Sequence, residues 1–168
     1  MTERMAKSLP PFQAFLDEHR AAVLAFLRSM VGPHDADDCF QETFIAAMRA
    51  YETLDGRHPR AWVMTIARRK AIDHHRARVR RPEPRSEVPE QAATDGIPGA
   101  GDGSRELWAQ VAELPPKQRQ AVALRFAGDL SYADVAVALE CSEEAARRSV
   151  HEGLKRLRES PAVAREAA

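Results

Sequence analysis

Arg147, Arg148, His151 and Lys155 are spaced to meet a polyanion within LSYADVAVALECSEEAARRSVHEGLKRLRE (Leu130 to Glu159). At about 100° per residue they share one side of a helix with Glu144 and Arg158. Ala146, Val150, Gly153, Leu154 and Leu157 fall on the other side. Guanidinium groups can donate in pairs to guanine edges or to phosphates, and an ammonium to phosphates as a point charge. The same pattern also describes a solvated helix face over a small core, and packing alone explains every apolar residue. Packing does not explain why the four cationic or imidazole groups gather on one side.

The residues around this helix suggest how it is held. Ser131 followed by Asp134 predicts a capped helix ending near Leu139. Ser142 can cap the next helix, with Glu143 and Glu144 favourable at its positive end. Two short helices meeting over Glu140-Cys141-Ser142 have the layout of a helix-turn-helix, whose second helix enters the major groove. Two details oppose that reading. Glu140 stands where such turns often carry glycine, and Glu143-Glu144 put negative charge near approaching phosphates.

A second cationic group is RRKAIDHHRARVRR (Arg68 to Arg81), with seven Lys or Arg against Asp73 alone. Trp62 lies just upstream. The bland reading of such a run is a solvated helix end, and a core position is the simplest account of Trp62. His74 and His75 are adjacent and cannot chelate a metal from one helix face. Cys39 and Cys141 are the only cysteines. They suggest neither a zinc site nor a disulfide framework, and no cofactor is indicated.

The 168 residues carry zero formal net charge, but the average conceals a partition. Residues 1–81 hold 14 basic and 10 acidic side chains, residues 82–106 hold 2 and 6, and residues 107–168 hold 9 of each. Local fields decide binding to a polyanion, not the total. No run approaches a membrane span and the start lacks an apolar signal core, so a cytoplasmic protein without membrane insertion is expected.

The elements that must carry these groups read as helices throughout. Phe12 to Val31 places Phe15, Leu16, His19, Val23, Phe26, Leu27 and Met30 at three- and four-residue steps, with Gly32-Pro33 as a stop. A second helix starts at Asp35 or Asp37, with Phe40, Phe44, Ala47, Met48 and Tyr51 as its apolar stripe. Its other side carries Asp38, Gln41, Glu42, Ile45 and Arg49. His58-Pro59 opens a third, with Trp62, Val63, Ile66 and Ala67 inward. Arg81 to Gly103, rich in Pro, Gly and acidic residues, reads as a linker. Helices at Arg105–Leu114 and Lys117–Ala127 follow, separated by Pro115-Pro116 and closed by Gly128. The expected class is all-α: two small helical domains joined by a flexible acidic linker, the second containing the helix-turn-helix. The boundaries are 12–81, 82–104 and 105–160.

DADDCFQETFIAAMRAY (Asp35–Tyr51), PRAWVMTIARRKAIDHHR (Pro59–Arg76) and LPPKQRQAVALRFAGDLSYADVAVALECSEEAARRSVHEGLKRLR (Leu114–Arg158) occur in that order. Together they resemble the bacterial sigma-70 family of RNA polymerase sigma factors, specifically its compact extracytoplasmic-function (ECF) group. The resemblance covers about residues 12–160 and implies a transcription initiation factor, not an enzyme. It implies that Asp37, Asp38, Gln41, Glu42, Ile45 and Arg49 bind the clamp helices of the largest subunit of core RNA polymerase. Arg57, Arg60, Trp62, Arg68, Arg69, Lys70, His74 and Arg76 would engage promoter DNA at the −10 element and hold its opened strand. Arg119, Glu144, Arg147, Arg148, His151 and Lys155 would serve the −35 element, with their domain resting on the polymerase flap. The linker would thread the RNA exit path, and many relatives are held by an anti-sigma factor. The recognition helix departs from the family's usual Gly-Thr-Val-Lys-Ser-Arg run, having Glu144-Ala145-Ala146-Arg147-Arg148-Ser149, so no −35 sequence is inferred. LDGRHPR is short, which leaves the flipped −10 base unassigned.

Two other functional classes fit less of the sequence. A nucleic-acid enzyme needs clustered carboxylates, a metal set or a nucleophile with its base, and the acidic residues of Asp35–Glu42 have no matching cluster. A helix-turn-helix repressor acting without polymerase would leave the Asp35–Tyr51 motif unexplained.

Overall fold

The structure, a computed structural model, describes residues 9–81 and 102–160, with side chains from 105 in the second stretch. The expected linker lies almost wholly outside these residues. Helix α1 spans Phe12–Val31 and buries Phe15, His19, Val23, Phe26 and Leu27. Gly32 then adopts φ 83°, and α2 runs Pro33–Ala50. The second helix thus begins earlier than Asp35 or Asp37. Pro33 occupies its first turn, where its fixed φ suits a helix and its missing N–H costs nothing, and Gly32 supplies the reversal.

A short 3-10 turn, Tyr51–Thr53, leads to α3, Pro59–Arg80. These helices close over Phe15, Phe26, Leu27, Phe44, Val63, Met64 and Ala67. Of the stripe expected on α2, Phe44 and Ala47 are buried and Phe40 and Tyr51 pack against the core, and Met48 alone turns away. Ala36, Cys39, Thr43, Phe44 and Ala47 are buried, whereas Met48 is 56% exposed. Small residues face inward because α2 packs closely on both α1 and α3, and Met48 is displaced to the rim. Burial pushes the Cys39 thiol up to about 11, with Glu42 and Asp35 adding to the effect.

The remaining helices are α4 (Asp102–Ala112), α5 (Pro116–Phe126), α6 (Tyr132–Leu139) and α7 (Glu143–Glu159). Among the described residues every regular element is a helix. Val122, Val111, Leu114 and Leu157 form one apolar cluster. Leu124, Leu130, Val135, Ala146 and Val150 instead continue the core of α1–α3. The two halves therefore share apolar contacts as well as having their own.

Candidate nucleic-acid interface

The α6–α7 unit is built as its capping residues dictate. Ser131 Oγ accepts from the Asp134 N–H and Ser142 Oγ from the Ala145 N–H, each at 3.1 Å. Between them Glu140 adopts φ 57°, ψ 42°, and its N–H donates to the carbonyls of Ala136 and Val137. The turn thus takes the left-handed conformation that glycine would have supplied. Ala146, Val150, Gly153 and Leu157 of α7 are buried, while Arg147, Arg148, His151, Lys155 and Arg158 are exposed. The face inferred from periodicity is the face observed.

Its arginines are already partnered. Arg147 donates to Glu143 Oε1 through Nη2 at 2.6 Å and Nε at 3.2 Å, and its guanidinium lies 4.5 Å from the Tyr132 ring centroid. Arg148 donates to Glu144 at 3.2 Å. These are exposed pairs one helical turn apart, worth about 0.3–0.5 kcal/mol, so a phosphate or base edge can displace them. The negative charge of Glu143 and Glu144 is thus largely spent within α7 and at its N-terminus. Tyr132, which sequence reasoning did not single out, carries Arg125 on its ring as well, at 4.9 Å. Arg119 stands apart from this set. It is half-buried and donates to the Ala112 carbonyl at 3.4 Å, and burial lowers its pKa.

The α3 residues divide into two groups. Arg57, just before α3, and Arg76 are exposed, and Arg57 meets Asp55 twice, its backbone N–H donating at 2.9 Å and its Nε lying 3.9 Å from Oδ2. His74 Nε2 and Arg78 Nη1 both approach Asp35 Oδ2 at 3.1 Å, with hydrogen-bond geometry only for the arginine, tying α3 to α2. The second group faces the C-terminal half. Arg60 reaches Asp129, Arg69 bonds Glu140, and Arg68, only 18% exposed, donates to Gln120 Oε1 at 2.6 Å. This part of the basic track is covered by the C-terminal half. Lys70 is half-buried. Trp62 and Ile66 are also only half-buried: Trp62 packs edge-on against Phe15 at 5.9 Å, and both line a cleft of about 420 Å³ with Leu54, Arg69, Val137 and Glu140.

On α2, Asp37, Asp38, Gln41, Glu42, Ile45, Met48 and Arg49 are all exposed. Ile45 is 46% exposed, so this face combines carboxylates with two unburied apolar side chains. No helix among the described residues is long and apolar enough to cross a membrane.

A capped helix-turn-helix with a cationic second helix, mounted on a helical domain with a mixed acidic and apolar face, defines a DNA-binding protein that also has a protein partner. Comparison with known proteins agrees. The model for Sigma-70 region 2 matches residues 15–81 and that for Sigma-70, region 4 matches residues 104–157. The ECF RNA polymerase sigma factor SigF of Caulobacter vibrioides is 36% identical over 136 residues, covering 80% of this chain and 75% of that protein. SigX of Bacillus subtilis, another ECF sigma factor, is 29% identical over 166 residues, covering 92% and 86%. The fold is similar to that of the sigma factor RpoE from Bartonella quintana in complex with the anti-sigma factor NepR, with TM-score 0.72, 24% identity and coverage of 90% and 96%. The chain belongs to the extracytoplasmic-function group of the sigma-70 family, RNA polymerase-binding factors that direct transcription initiation to specific promoters.

Proposed function

We propose a division of that activity among three helix faces. Asp37, Asp38, Gln41, Glu42, Ile45 and Arg49 on α2, joined by Met48, bind the clamp helices of core polymerase. Arg57, Arg60, Trp62, Arg68, Arg69, Lys70, His74 and Arg76 on and before α3 engage the −10 element and favour its opened strand. Arg147, Arg148, His151 and Lys155 on α7, with Glu144, meet the −35 element in the major groove. Arg119, turned toward the α4–α5 junction, supports the domain more than it reaches DNA. The domains are 12–81 and 105–160, joined by 82–104, although α4 already begins at Asp102. The protein acts where polymerase is, in the cytoplasm, without catalytic residues of its own, and an anti-sigma factor is a partner suited to its exposed faces.

The observation that carries the polymerase assignment is the α2 face. Its polar side chains surround Ile45 and Met48, which are exposed although the same helix buries five other residues. Apolar groups left at the centre of a polar rim are the usual composition of a protein interface. Gln41→Ala with Glu42→Lys is expected to abolish holoenzyme assembly, measured by binding of labelled chain to core polymerase, while helicity and melting temperature stay near wild type. Assembly at wild-type affinity would refute the assignment.

A further inference from the structure

Arg147 and Arg148 are neighbours on the exposed face of α7, and each donates to the glutamate one turn earlier. Their surroundings nevertheless differ. Arg147 also lies over the Tyr132 ring, with Cζ 4.5 Å from the centroid. Among the described residues Arg148 has Glu144 alone. The ring under Arg147 is itself held. Tyr132 opens α6 directly after Ser131, whose Oγ accepts from the Asp134 N–H at 3.1 Å. Arg125 of α5 lies over the same ring at 4.9 Å, and its Nη1 donates to the Leu130 carbonyl at 2.9 Å. Phe126, 53% exposed, meets Arg125 in turn at 5.8 Å. Contacts thus run from Phe126 through Arg125, Tyr132 and Arg147 to Glu143, joining the end of α5, the start of α6 and the first turns of α7.

A guanidinium donates hydrogen bonds in its own plane and meets an aromatic ring through its face, so the two contacts do not compete. Arg147 makes both at once: Nε and Nη2 bond Glu143 while Cζ rests over Tyr132. Exchange of Glu143 for the edge of a guanine therefore leaves the ring contact in place. A bidentate contact needs the fork aligned with the base edge, and a side chain already restrained loses less freedom in making it. Arg148 has no such second restraint. Once Glu144 is displaced, its long side chain follows whichever phosphate is near.

We infer that Tyr132, backed by Arg125, is a positioning residue that sets the Arg147 guanidinium for base readout at −35, so that Arg147 specifies sequence and Arg148 serves the DNA backbone. The inference rests on the reading of α7 as the −35 helix and deepens it. Tyr132 lies outside α7 and outside each of the three residue sets assigned to polymerase and promoter. It also packs against the main core, so the test must separate orientation of Arg147 from support of the fold.

The test uses holoenzyme reconstituted from core polymerase and the full chain, with transcription read from a promoter library varied at −35. Tyr132→Leu removes the ring and keeps an apolar side chain; Tyr132→Met takes its place where that variant does not assemble. Tyr132→Phe keeps the ring and removes only the hydroxyl. Preference is a ratio between promoters read by one preparation, so a smaller folded fraction lowers every output and cancels. Loss of the ring should reduce discrimination at the base read by Arg147 about two- to fivefold, the bias that an exposed cation–π contact provides. Tyr132→Phe should restore it. In an Arg147→Ala background the loss of the ring should leave preference where Arg147→Ala put it. Arg148→Ala should lower output across the library without altering preference. A parallel fall in all outputs on loss of the ring, with preference unchanged while Arg147→Ala changes it, overturns the positioning role alone. So does a shift of equal size in the Arg147→Ala background. Unchanged preference in Arg147→Ala itself would overturn the reading of Arg147 as a base contact instead.

Discussion

Gly153 of α7 packs against α5 with no room for a side chain. A Cβ there would lie 2.8 Å from Val122 Cγ2 on α5, with Gln118 Cβ and Leu114 Cδ1 each at 3.5 Å. Val122 is 2% exposed and β-branched, so it cannot rotate aside cheaply. Gly153→Ala sets two terms against each other. Helix propensity favours alanine by about 1 kcal/mol. Overpacking a well-filled core costs about 1–3 kcal/mol. The net expectation is a loss of up to about 2 kcal/mol, with α7 pushed outward and its arginines displaced from the groove. Val122→Ala alone also destabilises, by removing buried methyl groups. In the double variant the new methyl enters the vacated space, so the two changes should couple favourably by about 1 kcal/mol or more. Urea unfolding of the full chain, followed by helical circular dichroism, measures all four corners of this cycle. A Gly153→Ala chain more stable than wild type by the full propensity gain, or a cycle that is simply additive, would refute the reasoning.

Two further predictions follow from capping and burial. Ser142→Ala removes the acceptor for the Ala145 N–H and should cost about 1 kcal/mol in urea unfolding. Burial, helped by Arg60 and opposed by Glu18, holds the His19 imidazole below its ordinary pKa. As pH falls through about 6.5 the unfolded chain takes up the proton first, so native stability should fall by at most about 1.4 kcal/mol per pH unit. Urea titrations across mildly acidic pH should show this slope flattened in His19→Phe; an unchanged slope would place its origin elsewhere.

Most of the local architecture was legible because it is encoded within a few residues. The spacing of Phe15, Val23 and Phe26 gave α1, and Ser131 and Ser142 located both helices of the helix-turn-helix. The Gly32-Pro33 break was seen, but Pro33 serves as a start as much as a stop. Met48 was misplaced because periodicity fixes an angle to within a residue or so, and close packing selected Cys39 and Thr43 as the inward residues. The seam between α3 and the C-terminal half was not legible at all. Its partners are 52 to 76 residues apart, and no local pattern joins Arg68 to Gln120 or His58 to Asp134. One trace was visible: glutamate at position 140, where glycine is usual, makes sense only once Arg69 is seen opposite it. The α2 and α7 residues were legible as exposed sets, whereas Arg60, Trp62, Arg68, Lys70 and His74 of the α3 set are half-buried; the family roles of all three sets came from the order of the motifs.

We propose that α7 reads the −35 element through the arginines near its N-terminal end. Holoenzyme reconstituted with Arg147→Ala, Arg148→Ala or Lys155→Ala should be assayed by transcription from a promoter library varied at −35. A bidentate arginine–guanine contact discriminates by about 1–3 kcal/mol, whereas a phosphate contact weakens all sequences alike. At least one arginine variant should change the preferred −35 sequence, and Lys155→Ala should lower output without changing it. Unaltered preference in both arginine variants, with full activity retained, would contradict the account.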